Sequence, residues 1–120
     1  MTDFNKVLEK IRKFNVDREW DQFHKPKDIL VALVSEVGEL AECYRWLSDD
    51  AIDKINQDPA KKRHIEEEVA DVLILLSTLA YKSGIDPLAA VESKLEKNAL
   101  RYPIHTHKGK NTNPITGHKN

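Results

Sequence analysis

Two pairs of acidic residues stand out by their spacing. Glu36 and Glu39 are three residues apart, and so are Glu68 and Asp71. In a helix, residues three apart lie on one face, and in both segments that face also carries the apolar residues. A carboxylate on the apolar side of a helix is costly to bury unless a proton or a cation compensates its charge. The pattern therefore indicates a functional site, the alternative being that these acids point into solvent.

The residue types at these positions indicate which ligand the site would hold. A cluster of carboxylates suits a hard divalent cation, Mg²⁺ or alternatively Mn²⁺, which takes its other ligands from water and phosphates. The expected chemistry is therefore at a phosphate ester or phosphoanhydride. Di-iron bundles use Glu-x-x-His pairs, and neither segment has a histidine three residues after a glutamate. Of the neighbouring acids, Glu67 is a candidate additional ligand, Glu42 is a weaker one, and Glu66 is expected in solvent.

Aromatic and basic residues form two further candidate groups. Trp20 and Trp46 could stack on a nucleobase, which is worth about 1–3 kcal/mol per base, and His24 could contact the same ligand. The alternative is that the tryptophans belong to the core and that His24 has a surface or packing role. Lys94, Asn98 and Arg101 follow each other at spacings of four and three, so they share one helix face. That face offers cations and an amide to a ligand, or is an ordinary solvated surface.

The elements that must position these residues are helices. Apolar residues recur along the chain with helical period, and no segment alternates with the period of a strand. Asp58-Pro59 and Asp86-Pro87 are typical helix starts, and Gly84 is a typical helix end. The predicted helices cover residues 3–15, 27–47, 51–57, 59–83 and 87–101, with a short helical turn within 17–24.

The fold class is therefore predicted to be all-α. The helices that carry the two acidic pairs should pack antiparallel, but their apolar faces are too wide for a hairpin to cover. We expect the helical bundle to be completed by further copies, as a homodimer or homotetramer. Residues 1–103 would form this domain, and residues 104–120 would form a basic tail rich in Gly, Asn, His and Lys.

Composition excludes several classes of protein. Of 120 residues, 40% are hydrophobic and 32% charged, which fits one folded domain. The net charge is −1, and the tail contributes +3 from three lysines, which leaves −4 for the rest. Three lysines are too few to predict stable nucleic-acid binding. One cysteine, no signal-peptide pattern and apolar runs far shorter than the roughly 20 residues of a membrane span predict a cytoplasmic protein without membrane contact.

Taken together, these residues resemble the MazG-like superfamily of all-α nucleoside triphosphate pyrophosphohydrolases, and most of all its dCTP pyrophosphatase branch. The similarity covers most of the chain. The E-x-x-E motif (Glu36 and Glu39) and the E-x-x-D motif (Glu68 and Asp71) are moderately specific by themselves. The tryptophan block, residues 18–24, and the N-x-x-R-Y-P block, residues 98–103, make the resemblance strong. The matching stretches are residues 18–24, 32–42, 45–46 and 67–74, then Lys94 and residues 98–103.

The resemblance implies hydrolysis of a nucleoside triphosphate, dCTP or a modified cytidine triphosphate, to the monophosphate and pyrophosphate, as nucleotide-pool sanitation. Mg²⁺ would be held by Glu36, Glu39, Glu68 and Asp71. Glu36 and Glu39 are the expected catalytic residues, with Glu39 as the base that orients the attacking water. The implied substrate-binding residues, of which the last four often come from a neighbouring subunit, are Trp20, His24, Trp46, Lys94, Asn98, Arg101 and Tyr102.

Other interpretations stay open from the sequence. Leu75 stands where the dCTP branch often carries tyrosine, which leaves the preferred base undecided. A phosphoribosyl-ATP pyrophosphohydrolase is less favoured, because the tryptophan block suits a base pocket. The competing class is a non-catalytic helical oligomerisation or regulatory module. The tail, with Lys108, Lys110 and Asn111, is predicted to order over the phosphates when ligand binds.

Overall fold

The computed structural model describes residues 3–111. Within that range the chain is helical and has no strand, which confirms the predicted all-α class. The chain divides into two compact units, Met1–Ile85 and Asp86–Asn120. The helices are α1 (Phe4–Asp17), α2 (Pro26–Glu42), α3 (Asp49–Ile55), α4 (Pro59–Lys82), α5 (Pro87–Arg101) and α6 (Ile104–His107), with a 3₁₀ turn at Asp21–Phe23.

The helix starts follow from side-chain capping. The Asp58 carboxylate accepts hydrogen bonds from the backbone N–H groups of the first turn of α4 at 3.1 and 3.3 Å, and Asp86 does the same for α5 at 3.1 Å. A proline follows each of these caps and leaves no further N–H unpaired. Ser48 caps α3 through its hydroxyl oxygen at 3.2 Å. The starts of these three helices are therefore encoded locally.

Two helices end in the same geometry with different residues. After α4, Gly84 has φ 69°, the N–H of Gly84 donates to Tyr81 O and the N–H of Ile85 donates to Ala80 O. After α1, the same pair of hydrogen bonds forms around Glu19, whose φ is 54°. Glycine adopts this left-handed conformation without strain, whereas glutamate does not. The sequence predicted the first helix end and not the second.

In the first unit, α4 is the central helix, with α1, α2 and α3 packed on it. The α2–α4 pair is antiparallel, since Glu36 lies near Glu68 while Leu47, beyond the end of α2, lines the same cavity as Lys61 at the start of α4. The prediction of an antiparallel pair is thus confirmed. Within the described residues the buried apolar core is small and consists of Ile11, Ile29, Leu33, Ile55 and Ala80.

Large apolar side chains remain exposed on both helices of this pair. Val31 and Val34 of α2 are each 65% exposed, and Leu76 of α4 is 48% exposed. Contiguous apolar surface of this kind marks an interaction site in soluble proteins. The further exposed apolar residues of the two helices are Leu30, Val37, Val69, Leu73 and Ile74.

Some boundaries differ from those expected. Helix α2 ends at Glu42 rather than near residue 47, because residues 43–47 form tighter turns, with the N–H of Cys43 donating to Leu40 O and that of Leu47 to Tyr44 O. A single helical turn, α6, lies within the predicted tail, and the part of the tail after residue 111 lies outside the described residues. Among residues 3–111, no single helix is long and apolar enough to cross a membrane, although α4 and α5 taken together reach that length and composition.

Candidate functional site

Three of the four predicted metal ligands meet between α2 and α4. Carboxylate oxygens of Glu36, Glu39 and Glu68 all lie within 4.8 Å of one another. Glu36 and Glu68 are half-buried, and Glu39 is exposed. The Oε2 atoms of Glu36 and Glu68 are fully buried and have no hydrogen-bond partner. Because a buried polar atom without a partner is costly, these two oxygens are in a state that an added ligand would relieve.

The surroundings of Glu36 shift the pKa of its carboxyl. Burial raises the pKa of the Glu36 carboxyl above its ordinary value of 4.5, and the nearby carboxylates of Glu39, Asp71 and Glu68 raise it further. Asp71 is exposed and is not one of the three carboxylates that meet, so its effect on the pKa of Glu36 is through its charge. The ionised form of Glu36 is disfavoured in this setting, and a cation would reverse that preference.

The donor set fits a hard divalent cation. All three converging ligand groups are carboxylates, without cysteine or histidine among them. Oxygen-only donors select Mg²⁺, Ca²⁺ or Mn²⁺ over the softer transition metals. Carboxylates from two helices with two unpaired buried oxygens can therefore hold a metal ion while leaving positions for water and phosphate. The site is assembled by the α2–α4 contact and not by either helix alone.

An open cavity of about 580 Å³ lies beside this group and is lined by the end of α2, by α3 and by the start of α4. Its size is in the range of small-molecule sites. Sequence reasoning missed its basic residues, although His64 precedes Glu68 by one helical turn, with His64 Nε2 4.0 Å from Glu68 Oε1. The cavity combines an apolar wall with both charges, and its lining includes Glu39, Lys61, His64, Leu47, Ile55 and Ile65.

The predicted aromatic residues lie at opposite ends of the α2–α4 pair within one chain. Trp20 packs edge-on against Phe14, with ring centroids 5.7 Å apart, near the α4 residues Thr78 and Tyr81. Trp46 follows α2 at the other end, is 76% exposed and lies under the Arg45 guanidinium at 4.3 Å. One chain by itself therefore does not bring the two tryptophans into a single pocket.

His24 follows the 3₁₀ turn that comes after Trp20 and is half-buried. Its Nδ1 is buried, has no hydrogen-bond partner and is 4.0 Å from Asp21 Oδ1. That separation is too long for a hydrogen bond. The imidazole is therefore held beside a carboxylate without being bonded to it.

The remaining predicted substrate residues belong to the second unit. Lys94 and Asn98 lie on α5, Arg101 is its last residue, and Tyr102 follows as its C-cap. The Arg101 guanidinium is 5.5 Å from the centroid of the Tyr102 ring, whose edge-on neighbour is His107 at 5.2 Å. These contacts lie at the end of α5, and the role of its residues in substrate binding stays a prediction.

The sequence profile of the MazG-like family matches residues 31–113. The chain is 43% identical to dCTP pyrophosphatase 1 of Rattus norvegicus over 107 residues, 86% of this chain and 63% of that protein. It is 43% identical to the Homo sapiens protein of the same name over 103 residues, 82% of this chain and 61% of that protein. A crystal structure of a pyrophosphatase from Archaeoglobus fulgidus has a TM-score of 0.72 at 35% identity, covering 86% of this chain and 94% of that chain.

The fold and the site together define a class of protein: all-α, with a carboxylate cluster between two antiparallel helices. The profile match covers more than half of the chain and includes both acidic motifs. The chain belongs to the MazG-like family, which confirms the family expected from its motifs. It spans less than two thirds of the length of the curated relatives it matches.

Proposed function

We propose that this protein is a Mg²⁺-dependent hydrolase that converts a nucleoside triphosphate, dCTP or a modified cytidine triphosphate, to the monophosphate and pyrophosphate. The observation that carries the proposal is the convergence of Glu36, Glu39 and Glu68 with two buried, unpaired carboxylate oxygens. Similarity to proteins named dCTP pyrophosphatase 1 and to a pyrophosphatase of known structure supports the reaction and the substrate. The setting we propose is the cytoplasm, with free nucleotides rather than nucleic acid as substrate.

The residues divide the chemistry between them. Glu36, Glu39, Glu68 and Asp71 would hold the metal ion, which when bound supplies charge neutralisation at the phosphates and a more acidic water. Glu39 is the exposed member of the converging three, so it can reach a water molecule and accept its proton. The water oxygen forms a bond to the α-phosphorus, the α–β phosphoanhydride bond breaks, and pyrophosphate leaves with the bonding electrons.

A second copy of this chain would complete the site. The two tryptophans lie beside opposite ends of α4; His64 and Thr78, which mark those ends, are about 21 Å apart along the helix axis. A base held by both Trp20 and Trp46 therefore needs the two from different copies. The exposed apolar faces of α2 and α4 offer the surface for such a contact. We accordingly propose a homodimer or homotetramer, and Lys94, Asn98, Arg101 and Tyr102 remain proposed substrate-binding residues.

Pyrophosphate release with Mg²⁺ across a panel of canonical and modified triphosphates tests the reaction. Turnover of cytidine nucleotides that is lost in Glu39→Gln and Glu68→Gln is the expected result. The matched control is Glu66→Gln, because Glu66 is exposed on the same helix two residues from Glu68. Turnover of other bases alone would overturn the substrate, and turnover unaffected by either ligand variant or by EDTA would overturn the site.

The assembly is tested separately by light scattering coupled to size exclusion. Val34→Asp places a charge on the exposed apolar face of α2 and is expected to give monomers with little activity. The control is Val16→Asp, since Val16 is also exposed, at 49%, but lies on α1. A wild-type monomer that is fully active would overturn the proposed shared pocket.

A further inference from the structure

A network of buried and partly buried hydrogen bonds joins α1, α4 and the segment 20–24. Asn15 is 4% exposed and Thr78 is 1% exposed. The Asn15 amide donates to Thr78 Oγ1 at 3.2 Å and to Tyr81 Oη at 2.9 Å. The Tyr81 hydroxyl in turn donates to Asp21 Oδ1 at 2.5 Å. The network therefore runs from the interior of the α1–α4 contact to the 3₁₀ turn that follows Trp20.

Each N–H and O–H group of the side chains in this network donates to one acceptor. The amide of Asn15 has two N–H groups and uses both, and the Thr78 hydroxyl donates to Ile74 O at 2.8 Å. Burial, and then the bond to Asp21, raise the pKa of the Tyr81 hydroxyl above its ordinary value of 10.0, so it stays a donor at neutral pH. A network in which each donor is committed permits a single arrangement of its members.

The backbone of the same segment is held as well. The N–H of Trp20 donates to Asn15 O at 3.0 Å, so Asn15 fixes the start of the segment through its backbone and the Tyr81 hydroxyl through its side chain. The Lys82 ammonium donates to Asp21 O at 3.0 Å. Glu19, just before the segment, is kept in the left-handed conformation at φ 54°. A strained residue persists only where its surroundings over-determine it, which is common at functional sites.

We propose that Tyr81 and Asp21 are positioning residues that fix the orientation of Trp20 and His24 toward the base of the nucleotide. Folding alone would be served by apolar side chains at these positions, because buried polar groups add little net stability even when they are bonded. The network instead holds the segment 20–24, which is short and partly exposed, in a single conformation. The inference rests on the proposed function, since it assigns these two aromatic residues to substrate.

The experiment compares Tyr81→Phe with Tyr44→Phe. Both tyrosines are half-buried in the first unit, and each change removes one hydroxyl. Steady-state kinetics with dCTP and with a second triphosphate are measured per folded molecule. A parallel experiment follows acrylamide quenching of Trp20 in a Trp46→Phe background, where Trp20 is the only tryptophan. Asp21→Ala is the second variant, because its partly exposed site tolerates substitution if Tyr81→Phe does not fold.

For Tyr81→Phe and Asp21→Ala we expect KM for dCTP to rise about tenfold with kcat within about twofold, a lower preference for dCTP, and stronger quenching of Trp20. Loss of ground-state binding with retained chemistry distinguishes positioning from a merely structural role. Kinetics and quenching equal to those of Tyr44→Phe would overturn the proposal. If the wild type hydrolyses no triphosphate, the proposed function fails, while the quenching experiment still decides whether the network holds Trp20.

Discussion

Helix α4 carries two polar clusters along its length, and they are opposites. At Glu68, carboxylates from α2 and α4 meet with two buried oxygens that have no partner. At Thr78 and Tyr81, all the donors that link α1, α4 and the 3₁₀ turn are paired. A paired buried cluster specifies one structure, whereas an unpaired one raises the free energy of the folded state until a ligand arrives. This difference distinguishes the cluster that would position the residues around Trp20 from the cluster that would bind the metal ion.

The sharpest test of this contrast is Glu36→Gln. Neutralising Glu36 removes repulsion in the cluster, so we expect a higher Tm than the wild type in EDTA, together with a loss of Mg²⁺-dependent pyrophosphate release of at least about 100-fold. The Tm of the wild type should rise on adding Mg²⁺, and that of the variant should respond much less. Thermal unfolding with and without Mg²⁺ measures the two differences in Tm, and pyrophosphate release measures the loss of activity. A variant less stable than the wild type in EDTA would contradict the repulsion.

In the paired cluster at Thr78 and Tyr81, removing a polar group should lower the stability of the protein instead of raising it. Asn15→Ala leaves the Thr78 and Tyr81 hydroxyl groups without the amide donor in a buried site, and we expect it to lower the free energy of unfolding by about 2 kcal/mol. Urea denaturation measures this loss. Asn5→Ala is the matched control, because Asn5 is on the same helix and exposed. Equal stability of the two variants would mean that the buried amide is not structurally important.

A smaller effect with a defined pH dependence is expected for Tyr81→Phe. Near neutral pH the lost hydroxyl should cost about 1 kcal/mol. The raised pKa means that the unfolded phenol ionises from its ordinary value of 10.0 while the folded one stays protonated. The contribution of the hydroxyl is therefore complete below that pH and is lost as pH rises through the folded pKa. Urea titrations at increasing alkaline pH should show the gap between wild type and variant narrowing, and a gap that widens would refute the assignment.

The smallest expected effect is at the turn that leads into the paired cluster. Glu19→Gly removes left-handed strain at φ 54° but adds backbone entropy to the unfolded chain. We expect a net stabilisation of about 0.5 kcal/mol by urea denaturation. Gly84→Ala, the reverse change at the equivalent position after α4, should destabilise. The same sign for both changes would show that the two helix ends are not equivalent.

Local patterns in the sequence determined much of this protein. The helix starts at Pro59 and Pro87, the end at Gly84 and the sharing of a helix face by Glu36 and Glu39 follow from capping chemistry and helical period. These properties depend on residues within about one turn of each other, so they are readable without a fold. The acidic motifs together with the tryptophan and N-x-x-R-Y-P blocks also indicated the family.

Only the tertiary structure decided which groups meet. The contact of Glu36 and Glu39 with Glu68, with Asp71 acting through its charge, depends on the register of α2 against α4. The bond between Asn15 and Thr78 joins residues 63 positions apart. The separation of Trp20 and Trp46 along α4 likewise comes from antiparallel packing. Register and packing are set by side-chain fit over a whole interface, which no local spacing encodes.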